Sequence, residues 1–155
     1  MDDDVLAEFA ASASRDLGTM LNRAGAAVGA EVFRRVAERG YADIKRSHIV
    51  VFAGLEAGGT RISTLGEHAG ISRQAISALV TELEQLGYVD SGPDPSDARA
   101  TLVRLTERGV AFCRAAMAAS TEVTDEISAV LGESVERFRE QLRSIASWQP
   151  GATEG

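Results

Sequence analysis

From Leu17 onward, apolar residues recur at Met20, Leu21, Ala24, Val28, Val32 and Val36, in steps that lay a single stripe along a helix. Gly40 is placed to end that helix, because a residue without a Cβ takes the left-handed conformation after a helix terminus at little cost. Asp43 is then placed to cap a second helix carrying Ile44, Val51, Phe52 and Leu55, which stops at Gly58 and Gly59.

The pattern changes twice over residues 64–105, TLGEHAGISRQAISALVTELEQLGYVDSGPDPSDARATLVRL. Thr64 and Glu67 read as a capping box opening a short helix. Gly70 supplies a positive φ, Ile71 points inward, and Ser72 caps a longer helix over about 73–86. That helix places Ile76, Leu79, Val80, Leu83 and Leu86 on its buried side, with Gly66 opposite, where a small residue lets the two axes approach. After Gly87, the strand character of residues 88–91, the turn residues of GPDPSDA and the alternation in RATLVRL predict a β-hairpin. Arg61, Ile62 and Ser63 can add a short third strand. Thr106 is placed to cap a helix with Phe112, Ala116, Val123, Ile127 and Val130, broken at Gly132. Ser134 opens a last helix with Val135, Phe138, Leu142 and Ile145, which ends before Pro150 and leaves 151–155 as a loose tail.

Composition narrows the class. A chain of 155 residues with 45% hydrophobic and 25% charged residues suits one globular domain. The formal charge of −7 opposes indiscriminate binding to polyanions. It permits a local groove-binding surface, because salt at ~0.1 M confines charge effects to about 10 Å. The lone Cys113 excludes an internal disulfide framework, and no Cys/His cluster has zinc spacing. The start, MDDDVLAEFA, is acidic where a secretory signal is basic, and no apolar run suits a membrane span. The expectation is a soluble cytoplasmic protein with no cofactor, no metal and no membrane partner.

It is also not expected to be an enzyme: no phosphate-binding glycine motif occurs, and no nucleophile, base and orienting acid can be assembled. His48 and His68 read as ordinary helix residues, and Cys113 as a small buried apolar residue rather than a redox sensor.

The two helices over 64–86 form a helix-turn-helix whose second member exposes Arg73, Gln74, Ser77 and Thr81. Arginine can bond bidentately to guanine and glutamine to adenine, and serine can reach phosphate or a base. An αα-hairpin with a polar outer face would look the same, but a hairpin wing directly after it makes the DNA-binding reading far more specific. The fold class expected is mainly α with a small β-hairpin wing. The outer helices leave apolar seams whose partner is either within the chain or a second copy, and the second copy is favoured.

From about Leu17 to Trp148 the chain resembles the MarR family of bacterial winged helix-turn-helix regulators. The resemblance is most specific in ISTLGEHAGISRQAISALVTELEQLGYV, in the DPSDARA of the wing and in LVRLTERG at the junction with the next helix. It implies one domain over 1–155, with dimerisation helices at 17–40 and 106–148 and a winged lobe at 43–105. It implies a homodimer that binds a pseudopalindromic site in double-stranded DNA as a transcriptional regulator, most simply a repressor.

Carried over by position, Ser72, Arg73, Gln74 and Ser77 take the recognition role, and Asp97 and Arg99 match the wing-tip pair in which the arginine enters the minor groove and the aspartate helps hold it. The family also implies a small aromatic or lipophilic effector, in a crevice that Met20, His48 and Phe52 would line. Two departures stand out: Ser91 and Ala98 occupy positions where relatives often carry basic residues. Over 61–105, Arg61, Arg73, Arg99 and Arg104 face six acidic residues, a net of −2. A winged-helix protein-interaction module that has lost specific DNA binding is the alternative.

Overall fold

The computed structural model describes residues 2–13, 15–132 and 135–149, which form two compact units, 1–119 and 120–155. The first unit begins with α1 (Asp2–Ala13), where sequence patterning had suggested only an acidic, non-signal terminus. Helix α2 (Leu17–Val36) is capped by the Asp16 side chain, which accepts a 2.7 Å bond from the Thr19 amide. Its stripe is buried only at Val36, whereas Leu17, Met20 and Val28 remain exposed. The helix passes into a π turn over Ala37–Tyr41, where Gly40 takes φ 96°.

Asp43 does not cap the next helix. A single 3₁₀ turn at Arg46–His48 leads into the short α3 (Ile49–Gly54), while Asp43 accepts bonds from Tyr88 (2.6 Å) and Arg108 (2.8 Å). Thr60 closes the following turn, its hydroxyl accepting from the Glu56 amide and donating to the Gly54 carbonyl. Strand β1 is Thr60–Arg61, one position earlier than patterning suggested. Helix α4 spans Ile62–Ala69, so Thr64 lies inside it and Thr64 with Glu67 forms no capping box. Pairing of β1 with the wing sets the helix start instead of a side-chain cap, a tertiary effect with no local signature.

Gly70 (φ 63°) turns the chain, and Ser72 caps α5 (Arg73–Gln85), its hydroxyl accepting from the Ala75 amide at 3.2 Å. Ile71 is 37% exposed, so it does not point inward as expected. Gly66 does face α5: a Cβ there would lie 3.2 Å from Ile76 Cγ2. Ile76, Val80 and Leu83 are buried, with Leu79 and Leu86 half-buried beside them.

Strands β2 (Val89–Asp94) and β3 (Asp97–Leu105) pair antiparallel in the sheet order β1-β3-β2, with Ser91 opposite Val103. The ladder runs through most of the stretch that read as turn. Pro93 is tolerated there because β2 is an edge strand. Tyr41, Phe52, Tyr88 and Phe112 form an aromatic cluster with centroid separations of 4.5–6.3 Å, set against the start of α6 (Glu107–Leu131).

In the second unit, α6 ends at Leu131 before Gly132 (φ 68°), and α7 spans Val135–Ala146. Ser134 and the tail at 151–155 lie outside the described residues. No residue of α7 is buried; Phe138 is 38% and Ile145 42% exposed. The chain is thus mainly helical with a three-stranded wing, a winged helix-turn-helix fold. No helix among the described residues is long and apolar enough to cross a membrane.

Candidate nucleic-acid interface

The Ser72 cap fixes where α5 starts, which puts Arg73 and Gln74 on its first turn with both side chains exposed. Thr81 is exposed further along, and Ser77 is half-buried. Asp97 and Arg99 are exposed at the start of β3. Arg73, Arg99, Asp97 and Arg61 line one cleft of about 200 Å³ between the start of α5 and the wing, with Ser63 and Thr101 at its rim. Of the recognition-helix and wing residues expected from sequence, the structure brings Arg73, Asp97 and Arg99 together in this cleft, whereas Ser72, Gln74, Ser77 and Thr81 do not line it.

The four arginines over 61–105 divide into two pairs. Arg104 donates to the Gly58 carbonyl at 3.1 Å, and Arg61 is engaged with the wing tip. Among the described residues, the guanidinium groups of Arg73 and Arg99 carry no ion pair or side-chain hydrogen bond. The excess of acid counted from sequence is offset locally: Lys45 and His48 pair with Glu82, and the Ser91 hydroxyl bonds to Glu84. At the position where relatives often carry a basic residue, Ser91 is thus tied to the end of the recognition helix.

The wing tip is held differently from the expected pairing. Asp97 Oδ1 accepts from the Arg99 backbone amide at 3.1 Å, which shapes the strand start and leaves the Arg99 guanidinium unheld. The clasp lies one turn away: Asp94 Oδ1 accepts from the Ser96 amide (2.8 Å) and hydroxyl (2.7 Å), and Asp94 Oδ2 accepts from Arg61 Nε (2.7 Å). The Asp-Pro-Ser order was legible as a turn. Nothing local could reveal a partner 33 positions upstream.

The Ser96 hydroxyl, then its amide, then Arg61, hold the Asp94 carboxyl at about 2, below its ordinary 3.8. A lowered pKa adds stability that is complete above the unfolded value and is lost as pH falls through the folded one. The clasp is therefore expected to persist at neutral pH and to open between about pH 4 and pH 2. The Ser96 amide resonance, followed by NMR during acid titration, should shift in that window and not at pH 5 to 7.

Of the residues expected to line an effector crevice, Met20 is exposed on α2, Phe52 belongs to the aromatic cluster, and His48 is fully buried. His48 Nδ1 accepts from the Lys45 amide at 3.2 Å, so Nε2 carries the proton it shares with Glu82 at 3.0 Å. Both ring nitrogens are used, and His48 serves to tie the turn before α3 to the recognition helix. His68 instead lines a shallow concavity with Val50 and Ala53. Cys113 is half-buried, and burial pushes its thiol pKa up, the opposite of what a reactive thiolate requires.

Residues 42–100 match the model of the MarR family. A segment of 55 residues is 38% identical to the HTH-type transcriptional repressor IacR of Pseudomonas putida, and the match spans 36% of this chain and 33% of that repressor. A MarR-family transcriptional regulator from Rhodococcus sp. RHA1 superposes with a TM-score of 0.68 at 26% identity, covering 86% of this chain and 94% of its own. CouR from Rhodococcus jostii RHA1, crystallised with p-coumaroyl-CoA, gives a TM-score of 0.67 at 28% identity over 92% of this chain and 98% of its own. The repressor CouR bound to a 23-mer DNA duplex gives 0.67 at 25% identity, over 86% and 94% of the two chains. These relatives are regulators, not enzymes.

Proposed function

We propose that this chain, whose residues 42–100 match the MarR-family model, is a DNA-binding transcriptional regulator of that family, a repressor acting as a homodimer on a pseudopalindromic operator in the bacterial cytoplasm. The carrying observation is that Arg73 and Arg99, from the recognition helix and the wing, meet in one cleft with both guanidinium groups unpaired among the described residues. Arg73, with Gln74, Ser72, Ser77 and Thr81, faces the major groove, and Arg99, on the wing ordered by Asp97, enters the adjacent minor groove. Repression is supported by the two repressors among the relatives.

Helices over 17–40 and 106–148 form the dimer interface, and 43–105 the DNA-binding lobe. The exposed apolar residues of α2, α6 and α7, with Val130 of α6 at 85% exposure, support a second copy as their cover. A small aromatic or lipophilic effector modulates binding, by analogy with the p-coumaroyl-CoA held by CouR.

Selection of genomic fragments by purified protein at about 0.1 M salt tests the reading. An inverted repeat with half-sites about one helical turn apart supports it. Failure to enrich any sequence would shift the weight to the protein-interaction module.

Arg99→Ala gives a finer check. It should weaken binding most on operators with A·T-rich flanks, where the narrow minor groove concentrates negative potential. Equal losses on A·T-rich and G·C-rich flanks, in side-by-side titrations, would rule out minor-groove insertion.

A further inference from the structure

Resting on that reading, we infer that Arg61, on β1 and outside both the recognition helix and the wing hairpin, is a DNA contact that binds a backbone phosphate in the cleft between them. A recognition helix in the major groove and a wing in the adjacent minor groove must straddle the sugar–phosphate strand that divides the two grooves. Whatever lies between helix and wing on the DNA-facing side therefore meets phosphate, and in this protein it is the cleft lined by Arg61, Arg73 and Arg99. Its ligand is a phosphodiester oxygen, which arginine is well shaped to receive.

Arg61 is held by one edge only. Nε and Nη2 bond to Asp94 and Ser96, which locks the plane of the guanidinium. Nη1 lies 3.9 Å from the Asp97 carboxylate, beyond hydrogen-bond reach, and among the described residues its two N–H groups have no hydrogen-bond partner. The side chain is 41% exposed, whereas that of Asp94 behind it is only 8% exposed. The clasp thus buries the carboxylate and presents the cation. The exposed Ser63 and Thr101 place hydroxyls at the rim. Where relatives often carry a basic residue at the wing tip, this chain has Ala98, and Arg61 brings the charge in from a different strand.

Anisotropy titrations from 50 to 200 mM salt, on the selected operator and on a random-sequence duplex of equal length, test the inference with the full-length protein. Arg61→Gln should reduce the slope of log affinity against log salt by about 0.9 for each cleft engaged, so that each cleft costs the variant about 3.5-fold less affinity across that range. The loss should be alike on both duplexes, because a phosphate contact carries no sequence. Asp94→Asn, which removes the clasp partner and keeps the arginine, should retain the wild-type slope, and Arg61→Lys should restore it.

An Arg61→Gln protein with the wild-type slope would reduce Arg61 to a strut for the wing, as would Asp94→Asn matching Arg61→Gln in slope and affinity. If the wild type binds and only the slope prediction fails, the regulator stands and this contact falls. If the wild type binds neither duplex, both fall.

Discussion

Gly109→Ala is expected to destabilise the protein by about 3 kcal/mol or more, reversing the gain of up to ~1 kcal/mol that alanine ordinarily brings within a helix. Gly109 stands in the first turn of α6, within the LVRLTERG junction. A Cβ there would lie 2.1 Å from the Tyr88 carbonyl oxygen and 3.0 Å from Leu105 Cδ2. The obstruction is backbone, so no rotamer change relieves it. Nor can the Tyr88 carbonyl retreat easily, because it accepts the Thr106 amide at 3.1 Å and its side chain is fully buried in the aromatic cluster.

The same turn is tied down by Thr106, whose hydroxyl donates to the Gly87 carbonyl at 2.7 Å and accepts from the Gly109 amide at 3.1 Å. Parting α6 from the loop after α5 should therefore disturb the wing and weaken DNA binding as well. Urea unfolding is the measurement, with Gly40→Ala as the control. Gly40 has φ 96° but open space around it, so its penalty should be only the roughly 1–2 kcal/mol of the left-handed conformation. Equal midpoints for the two variants would mean that the junction yields more readily than its geometry implies.

The second large effect is at the DNA. Arg73→Ala should lower affinity for the operator by about 1–3 kcal/mol, roughly 5- to 150-fold, and relax base preference at one position in each half-site. Arg73 is primed for this: the Ser72 cap sets its backbone, and its guanidinium has no protein partner to give up among the described residues. Binding then sacrifices no internal ion pair, unlike a contact from Arg104, which would have to release the Gly58 carbonyl. Titrations against operators substituted at each position give the discriminating result. A loss spread evenly over all sequences would assign Arg73 to phosphate rather than to guanine.

Local signals carried the helix-turn-helix well. Gly70, the Ser72 cap and the apolar spacing of Ile76, Val80 and Leu83 each act within a few residues, and each appears in the structure as patterning implies. The Thr64 box failed because strand pairing at Thr60 and Arg61 started α4 three residues earlier, with Arg61 as its N-cap. Asp43 failed as a cap because Tyr88 and Arg108, far along the chain, made a competing claim on its carboxylate. Of the candidate interface, Arg73 and Arg99 were legible as residue types in a motif, but their freedom from ion pairs was not.

Taken alone, then, the sequence determined the order of elements and which side chains a groove could read, because periodicity, caps and turn residues act over distances shorter than one turn or hairpin. Tertiary structure decided how the charge is used. Four arginines and six acids sum to −2 from residue 61 to 105, a balance that is hostile to DNA only while the charges are uncorrelated. Folding places Asp94 on Arg61, and Glu82 on Lys45 and His48, through contacts spanning 33 or more positions. Coulomb attraction falls off within about 10 Å in salt, so what the DNA meets is the local arrangement those contacts leave exposed, not the sum.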